Sequence, residues 1–205
     1  MLLRQWRWAL LVAAAQMSAC TTLPPTRFYS LLPAPALAAT AAQALAPTLS
    51  WELLPVTVPV QVDQPQLVVR MTDDSLAVLE HDRWIAPLAD EIRSALAQHI
   101  GRGLAQTTSP AGIRWQLSVE VLRLDSMLGR HARLEVQWLL QPVQAAPTGP
   151  VLRCHAVYQQ AVAGGVPALL QGHRMAVAQL GNALVAALHA SAVGATPRCD
   201  GAPAP

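Results

Sequence analysis

Residues 113–121 alternate apolar and polar side chains without a break, and this pattern constrains the fold more than any other feature of the chain. Successive side chains of a β-strand point to opposite faces, so the pattern predicts a strand with one buried and one solvated face. After a turn predicted at residues 125–129, the alternation resumes over residues 132–140. The two stretches predict an amphipathic β-hairpin, and the rest of the chain has to cover one side of it.

Four more segments are predicted as strands because β-forming residues dominate them and turn-forming residues bound them. They are residues 52–58, 66–70, 75–79 and 151–160. In the last of these, Cys154, Ala156 and Tyr158 share one face. This segment follows the hairpin after a short turn, so we expect it to be the next strand of a meander.

Two segments have the apolar periodicity of amphipathic helices. Residues 87–104 and 166–190 carry apolar side chains at spacings of three and four, which line up on one side of a helix. Since each helix and the hairpin have one apolar side, the economical arrangement places both helices on one face of a mostly antiparallel sheet. The sequence therefore predicts a two-layer α+β fold whose other face meets water or a partner.

The N-terminus has the three parts of a secretory signal peptide. Arg4 and Arg7 form a positive region, residues 8–15 an apolar region, and residues 17–19 a cleavage region before Cys20. The apolar run is far shorter than the roughly 20 residues that span a bilayer, and no later segment is predicted to span one. The sequence Met-Ser-Ala-Cys resembles a bacterial lipobox with methionine in the usual leucine position. The alternative is an ordinary signal peptide followed by a coincidental cysteine.

The lipobox resemblance implies that Cys20 is the first mature residue and carries a diacylglycerol thioether and an N-acyl chain. Each buried methylene contributes about 0.8 kcal/mol, so three chains form an effectively permanent anchor. Thr21 stands where an aspartate would mark the protein for the inner membrane. This implies transfer to the periplasmic face of the outer membrane.

Composition divides the chain into a signal peptide at residues 1–19, a lipidated tether at 20–50, a folded domain at 51–191 and a disordered tail at 192–205. The tether is rich in proline and alanine and cannot bury a core by itself. Within it, residues 27–32 are rich in β-formers and predict a short strand that docks on the domain. A tether of roughly 30 residues would let the domain reach into the periplasm.

Charge and motifs argue against nucleic-acid binding and catalysis. Two of the 14 basic residues lie in the signal, which leaves 12 against 12 acidic ones, so no basic field remains to attract nucleic acid. All basic residues are arginine, and no hydrolase, zinc-protease or dinucleotide motif is present. We therefore expect no enzymatic activity, no cofactor and no metal site. His173 is expected to be a hydrogen-bonded core or boundary residue, and residues 81–83 a solvated loop.

A series of short motifs resembles the PqiC-like, or YmbA-like, auxiliary lipoproteins of ABC-type and MCE-type transport systems. They are FYSLLP at 28–33, VTVP at 56–59, PQLVVR at 65–70, RW at 83–84 before PL at 87–88, VEVLRLD at 119–125 and LEVQWLL at 134–140. The resemblance covers nearly the whole mature chain. It departs from the family pattern at Leu124, where phenylalanine is usual, and at Gln61 and Val62, where a tyrosine-leucine pair is common.

The resemblance implies an accessory subunit of a machine that moves phospholipid or a related hydrophobic molecule between the two membranes. It implies docking to a periplasmic MCE-domain protein, with the permease complex as a further partner. The alternative is an envelope-binding lipoprotein module that recognises peptidoglycan or an outer-membrane assembly complex. The sequence leaves self-association into a homo-oligomer open.

Five side chains besides Cys20 are candidates for specific roles. Trp84, just before the first helix, either packs on the core or anchors a partner interface, and Phe28 and Tyr29 leave the same choice open. Cys154 and Cys199 are predicted to form a disulfide because the compartment is oxidising, one lies on the core face of a strand and the other lies just beyond the last helix. The alternative is a buried free Cys154 and a thiol in the tail.

The substitution Cys20→Ser should abolish lipidation and signal-peptide processing, because the processing enzyme of lipoproteins requires the modified thiol. Growth with labelled palmitate measures this directly, since the wild-type chain should carry label and the variant should not. Unchanged label incorporation and membrane retention in the variant would contradict the anchor.

Overall fold

The computed structural model describes residues 24–32, 49–105, 107, 113–143 and 151–199. Its strands are β1 (Arg27–Tyr29), β2 (Ser50–Leu53), β3 (Gln66–Arg70), β4 (Leu76–Trp84), β5 (Arg114–Met127), β6 (His131–Pro142) and β7 (Leu152–Ala161). Its helices are α1 (Leu88–Gly103) and α2 (Val166–Ala192). The signal peptide and Cys20 lie outside the described residues.

The larger sheet contains four strands in the order β2-β5-β6-β7. Strands β5 and β6 pair antiparallel from Trp115 opposite Pro142 to Met127 opposite His131, and β7 continues the meander beside β6. Every second residue of β6 is buried from Ala132 to Leu140, as the alternation requires. The predicted hairpin and the strand that follows it are therefore confirmed.

The smaller sheet contains three strands in the order β1-β4-β3. Strands β3 and β4 are antiparallel, whereas β1 runs parallel to β4 and, in the larger sheet, β2 runs parallel to β5. The α+β class is confirmed, but the strands form two mixed sheets rather than a single mostly antiparallel one. Alternation indicates which side chains face inward and does not reveal which distant segment is the neighbour.

The helices lie together against the larger sheet, with α2 on β6 and β7 and α1 packed on α2. The buried side of α2 includes Leu180, Leu184 and Leu188. Among the described helices, α2 is long and apolar enough to cross a membrane by length and composition. Its contacts with the sheet identify it as a core helix here.

Strand β4 is longer than the predicted segment 75–79 and includes residues 81–83, which were expected to form a solvated loop. Asp82 is buried in this strand. A register shift explains the difference, because Gln66 pairs with Arg83 while Leu67 pairs with Leu79. The extra β4 residues break the alternation by which a strand is recognised from sequence.

The turn of the central hairpin begins later than predicted, since β5 continues to Met127. A register shift between Val121 and Arg123 changes which side chains point inward, and Asp125 and Ser126 are buried. Strand β3 lies against this end of β5 on one side and α2 contacts it on the other. Both faces of β5 are therefore covered at this end. Alternation of apolar and polar residues predicts a strand with one solvated face, so it could not reveal this arrangement.

The C-terminal end also differs from the predicted disordered tail at 192–205. Helix α2 extends through Ala192, and the following residues are described as far as Cys199, which is joined to Cys154 by a disulfide bond. The Sγ atom of Cys199 also lies 3.5 Å from the carbonyl oxygen of Arg153. These contacts bring the segment after α2 back to β7.

Two glycine substitutions test the packing of the helices. At Gly172 an added Cβ would lie 2.8 Å from the Cβ of Ala132 on β6, so Gly172→Ala should lower the free energy of unfolding by about 1–3 kcal/mol. At Gly101 an added Cβ meets nothing within 4 Å, so Gly101→Ala should raise it by about 0.5–1 kcal/mol. Urea unfolding of both variants and of the wild type measures the two changes in the free energy of unfolding. A neutral Gly172→Ala would contradict the close approach of α2 to β6.

Candidate functional site

The segment that follows the predicted lipid anchor is held on the domain by a set of contacts that we call the N-terminal clamp. The hydroxyl of Ser30 and the backbone N–H of Leu31 both donate to Oε2 of Glu91, at 2.7 Å each. The guanidinium of Arg174 donates to the carbonyl oxygen of Ser30 from Nε at 3.0 Å and from Nη2 at 2.7 Å. The side chain of Leu31 is buried beside these contacts. The clamp therefore joins β1 to both helices.

A second group of contacts fixes β1 to β4. The hydroxyl of Tyr29 donates to Oδ1 of Asp82 at 2.8 Å, and Nε of Arg27 lies 3.0 Å from the same oxygen. Burial raises the pKa of the Tyr29 phenol, and its hydrogen bond to the Asp82 carboxylate raises it further. The docking strand predicted at 27–32 is present as Arg27–Tyr29.

The clamp fastens part of the predicted tether to the domain. Sequence composition predicted a tether over residues 20–50 with a docking strand at 27–32, and the structure places residues 27–32 on the domain. The partners of this segment, Glu91 and Arg174, lie far along the chain, so proline and alanine content did not reveal them.

The three aromatic residues proposed for a partner interface occupy different environments. Trp84 is only 6% exposed and belongs to the hydrophobic core, so it is not an accessible interface residue. Tyr29 is partly buried and bonded to Asp82. Phe28 is 58% exposed and remains available for an intermolecular contact.

A buried carboxylate connects the two sheets. Nε of Arg70 on β3 donates to Oδ1 of Asp125 on β5 at 2.7 Å, and Nε2 of His131 lies 3.0 Å from Oδ2. Nη2 of Arg123 is also close to Oδ2, at 3.8 Å. Burial acts to raise the pKa of Asp125, but hydrogen bonds from His131 and Arg70 outweigh it and hold the pKa below its usual value.

A family model described as the ABC-type transport auxiliary lipoprotein component matches residues 29–185. The chain belongs to this family. The match begins in β1 and ends within α2, so it includes the N-terminal clamp and both sheets.

Two solved structures share the fold of this auxiliary lipoprotein. One is described only as an uncharacterized protein, is 16% identical with a TM-score of 0.62, and the match covers 79% of this chain and 97% of that one. The other, protein XCC0632 from Xanthomonas campestris, is 20% identical with a TM-score of 0.53. The match covers 78% of this chain and 90% of that one. No curated protein matches the sequence.

One pair in the auxiliary lipoprotein has the spacing of a nucleophile and its base. Oγ of Ser126 lies 2.7 Å from Nε2 of His173. However, Nδ1 of His173 has no hydrogen-bond partner among the described residues, and burial lowers the pKa of this imidazole to about 4. The neighbouring carboxylate of Asp125, which could orient a catalytic histidine, is engaged by Arg70 and His131 instead. We interpret the pair as a structural hydrogen bond in the core, and the prediction of a hydrogen-bonded core histidine is confirmed.

The described residues contain no group of three or more histidine, cysteine, aspartate or glutamate side chains that could hold a metal ion. Cys154 and His155 are neighbours on β7 and point to opposite faces. The sulfur of Cys154 is already bonded to Cys199, and His155 instead lies 3.0 Å from a carboxylate oxygen of Glu135.

Sequence reasoning missed Glu91 and Arg174, although one of them carried a signal. Glu91 lies on the buried stripe of α1 between Leu88 and Ile92, and an acidic residue at such a position needs a partner. Its place in the first helical turn suggested only a favourable interaction with the helix dipole. Arg174 gave no comparable signal, because it directly follows the buried His173 and lies beside the apolar stripe.

The buried imidazole makes stability depend on pH. Its pKa is about 4 in the fold against about 6.5 when unfolded, so the unfolded chain binds the extra proton between these values. The neutral imidazole therefore contributes its full share to the free energy of unfolding above pH 6.5. The free energy of unfolding should fall by up to about 3 kcal/mol as the pH drops toward 4. Urea unfolding at several pH values measures this slope. His173→Gln should flatten it, and a variant with the wild-type slope would contradict the assignment.

Proposed function

We propose that this chain is an accessory lipoprotein held at the periplasmic face of the outer membrane by lipid on Cys20. In this role it docks the periplasmic MCE-domain component of a lipid transport system, whose permease complex is the further partner. Family membership supports the transport role. The lipobox resemblance and Thr21 support the anchor and its membrane.

The N-terminal clamp is the observation that carries the proposal. A lipoprotein that docks a transport component has to hold that component at a fixed place relative to the bilayer, and a free tether cannot do this. Here Glu91 and Arg174 fasten the segment that follows the anchor to the two helices. The clamp makes the anchored segment part of the fold, so a partner bound to the domain is held near the membrane.

The polar groups of the domain support binding rather than catalysis. Ser126 and His173 are buried, and the low pKa of His173 makes it a weak base. Asp125 is paired with Arg70 and His131. A lipid transport accessory needs no bond-making step, and these contacts stabilise the junction of the two sheets.

Phe28 is the residue we propose for the partner contact. It lies on β1, an edge strand of the smaller sheet. Its partner on the neighbouring strand β4 is Arg83. An exposed aromatic ring offers a large apolar contact with few rotatable bonds, which is typical of residues that dominate binding energy. Its position on the clamped strand puts the contact close to the anchored end of the chain.

Phe28→Ala should weaken co-purification of an MCE-type protein from membranes of the same organism by about tenfold, without a change in melting temperature. The matched control is Val193→Ala, which removes an equally exposed apolar side chain, 63% against 58%, at the end of α2. Wild type and control should recover the same amount of partner. Recovery of peptidoglycan fragments or assembly factors, and never of an MCE protein or its permease, would replace transport by the envelope-binding alternative.

A further inference from the structure

The short distance between Cys20 and the folded domain restricts how the domain sits on a membrane. Residues 21–23 separate Cys20 from Pro24, so the two Cα atoms are at most about 14 Å apart even when the chain is fully extended. A domain of about 150 residues has a radius of gyration of about 15 Å, so its full width exceeds this reach. The surface around Pro24 must therefore stay close to the bilayer. This step rests on the proposed lipidation of Cys20.

The surface around Pro24 is formed largely by β4. Pro24, Pro25 and Arg27 line one shallow depression together with Val78 and Leu79 and with the polar Glu80, His81 and Asp82 of the same strand. Val78 is 42% exposed, and Leu76, two positions earlier on the same face of the strand, is 49% exposed. We call Pro24, Pro25, Leu76 and Val78 the anchor-side face.

The outward face of the β3–β4 hairpin carries both apolar and polar residues, with Glu80 and Arg70 beside Val78 and Leu76. Leu67 and Val69 of β3 are buried in the domain. On the other face Val68 pairs with Val78, and Leu76 is the partner of Arg70. Arg70 on this face is bonded to Asp125, and Leu76 lines a depression beside residues 122–126 of β5. Leu76 and Val78 are nevertheless more than 40% exposed, and apolar side chains that are exposed together mark a contact with another apolar phase.

We infer that the anchor-side face rests on the bilayer to which Cys20 is attached, with Val78 and Leu76 at the level of the lipid headgroups and upper acyl chains. Apolar side chains gain free energy by leaving water at such a boundary. The turn after β3 carries Asp73 and Asp74, whose charges stay in the headgroup layer and limit the depth of insertion. Arg27 is exposed beside the face and can contact lipid phosphates.

The test measures contact with lipid at two matched positions of the full chain. Val78→Cys places a thiol on the anchor-side face, and Val143→Cys places one at a position of similar exposure, 40% against 42%, just beyond β6. The backbone N–H of Val143 is bonded to the carbonyl of Arg114. Arg114 lies 11 positions along β5 from Asp125, the residue bonded to the β3–β4 hairpin, which corresponds to roughly 35 Å.

Each lipidated variant is labelled with an environment-sensitive thiol dye and reconstituted into phosphatidylethanolamine and phosphatidylglycerol vesicles, with or without brominated acyl chains. Bromine should quench the dye at position 78 several-fold more than the dye at position 143. Equal quenching, or stronger quenching at 143, would overturn the inference. The inference would also be overturned if, in the absence of lipid, the dye at position 78 became more shielded as the protein concentration rose. That result would assign the face to contact with a second copy of the chain.

Separate readouts keep this test independent of the proposed function. Intact mass of the purified protein reports the lipid on Cys20, and unchanged melting temperatures report the fold of both variants. The vesicles contain no transport component, so loss of MCE docking cannot alter the quenching. Lipidated, folded protein without preferential quenching at 78 would refute the anchor-side face alone.

Discussion

The ion pair between Arg70 and Asp125 determines how the two sheets are joined. Asp125 is buried at the end of β5, and a buried carboxylate without a partner would be costly. Arg70 supplies the partner from β3, which places the β3–β4 hairpin across that end of the larger sheet. Because β1 pairs with β4, the position of the hairpin also places β1, while Glu91 and Arg174 hold the residues that follow this strand.

Sequence periodicity predicted the elements whose surroundings are regular. Strands β5 to β7 alternate correctly because one side packs on α2 and the other is largely solvated, and both helices have one apolar stripe. It failed where a second layer covers the other face or where a register shift breaks the period, as at Asp125 and Asp82. The candidate site was predicted only in part. Burial of Trp84 and the role of Glu91 depend on contacts between distant segments, which no local pattern encodes.

The positions of the polar groups separate those that hold the domain together from those left for other molecules. Glu91, Asp82 and Asp125 are all buried and paired, and each joins elements that are distant in sequence. The exposed groups around β1 include Phe28 on β1 and Val78 on β4, beside Arg27 and Glu80. The buried carboxylates are thus engaged within the domain, and the chain belongs to a family of transport auxiliary lipoproteins.

The bond between Cys154 and Cys199 has a consequence for the apolar helix α2. The helix leaves β7 at its N-terminal end, and the disulfide returns the chain to β7 after its C-terminal end, closing a covalent ring with a sequence separation of 45 residues. A helix of this length and hydropathy next to a bilayer could otherwise exchange its place in the core for a place among the lipids. With both ends attached to the same strand it cannot swing away from the sheet. The disulfide thus holds α2 in the core of the domain.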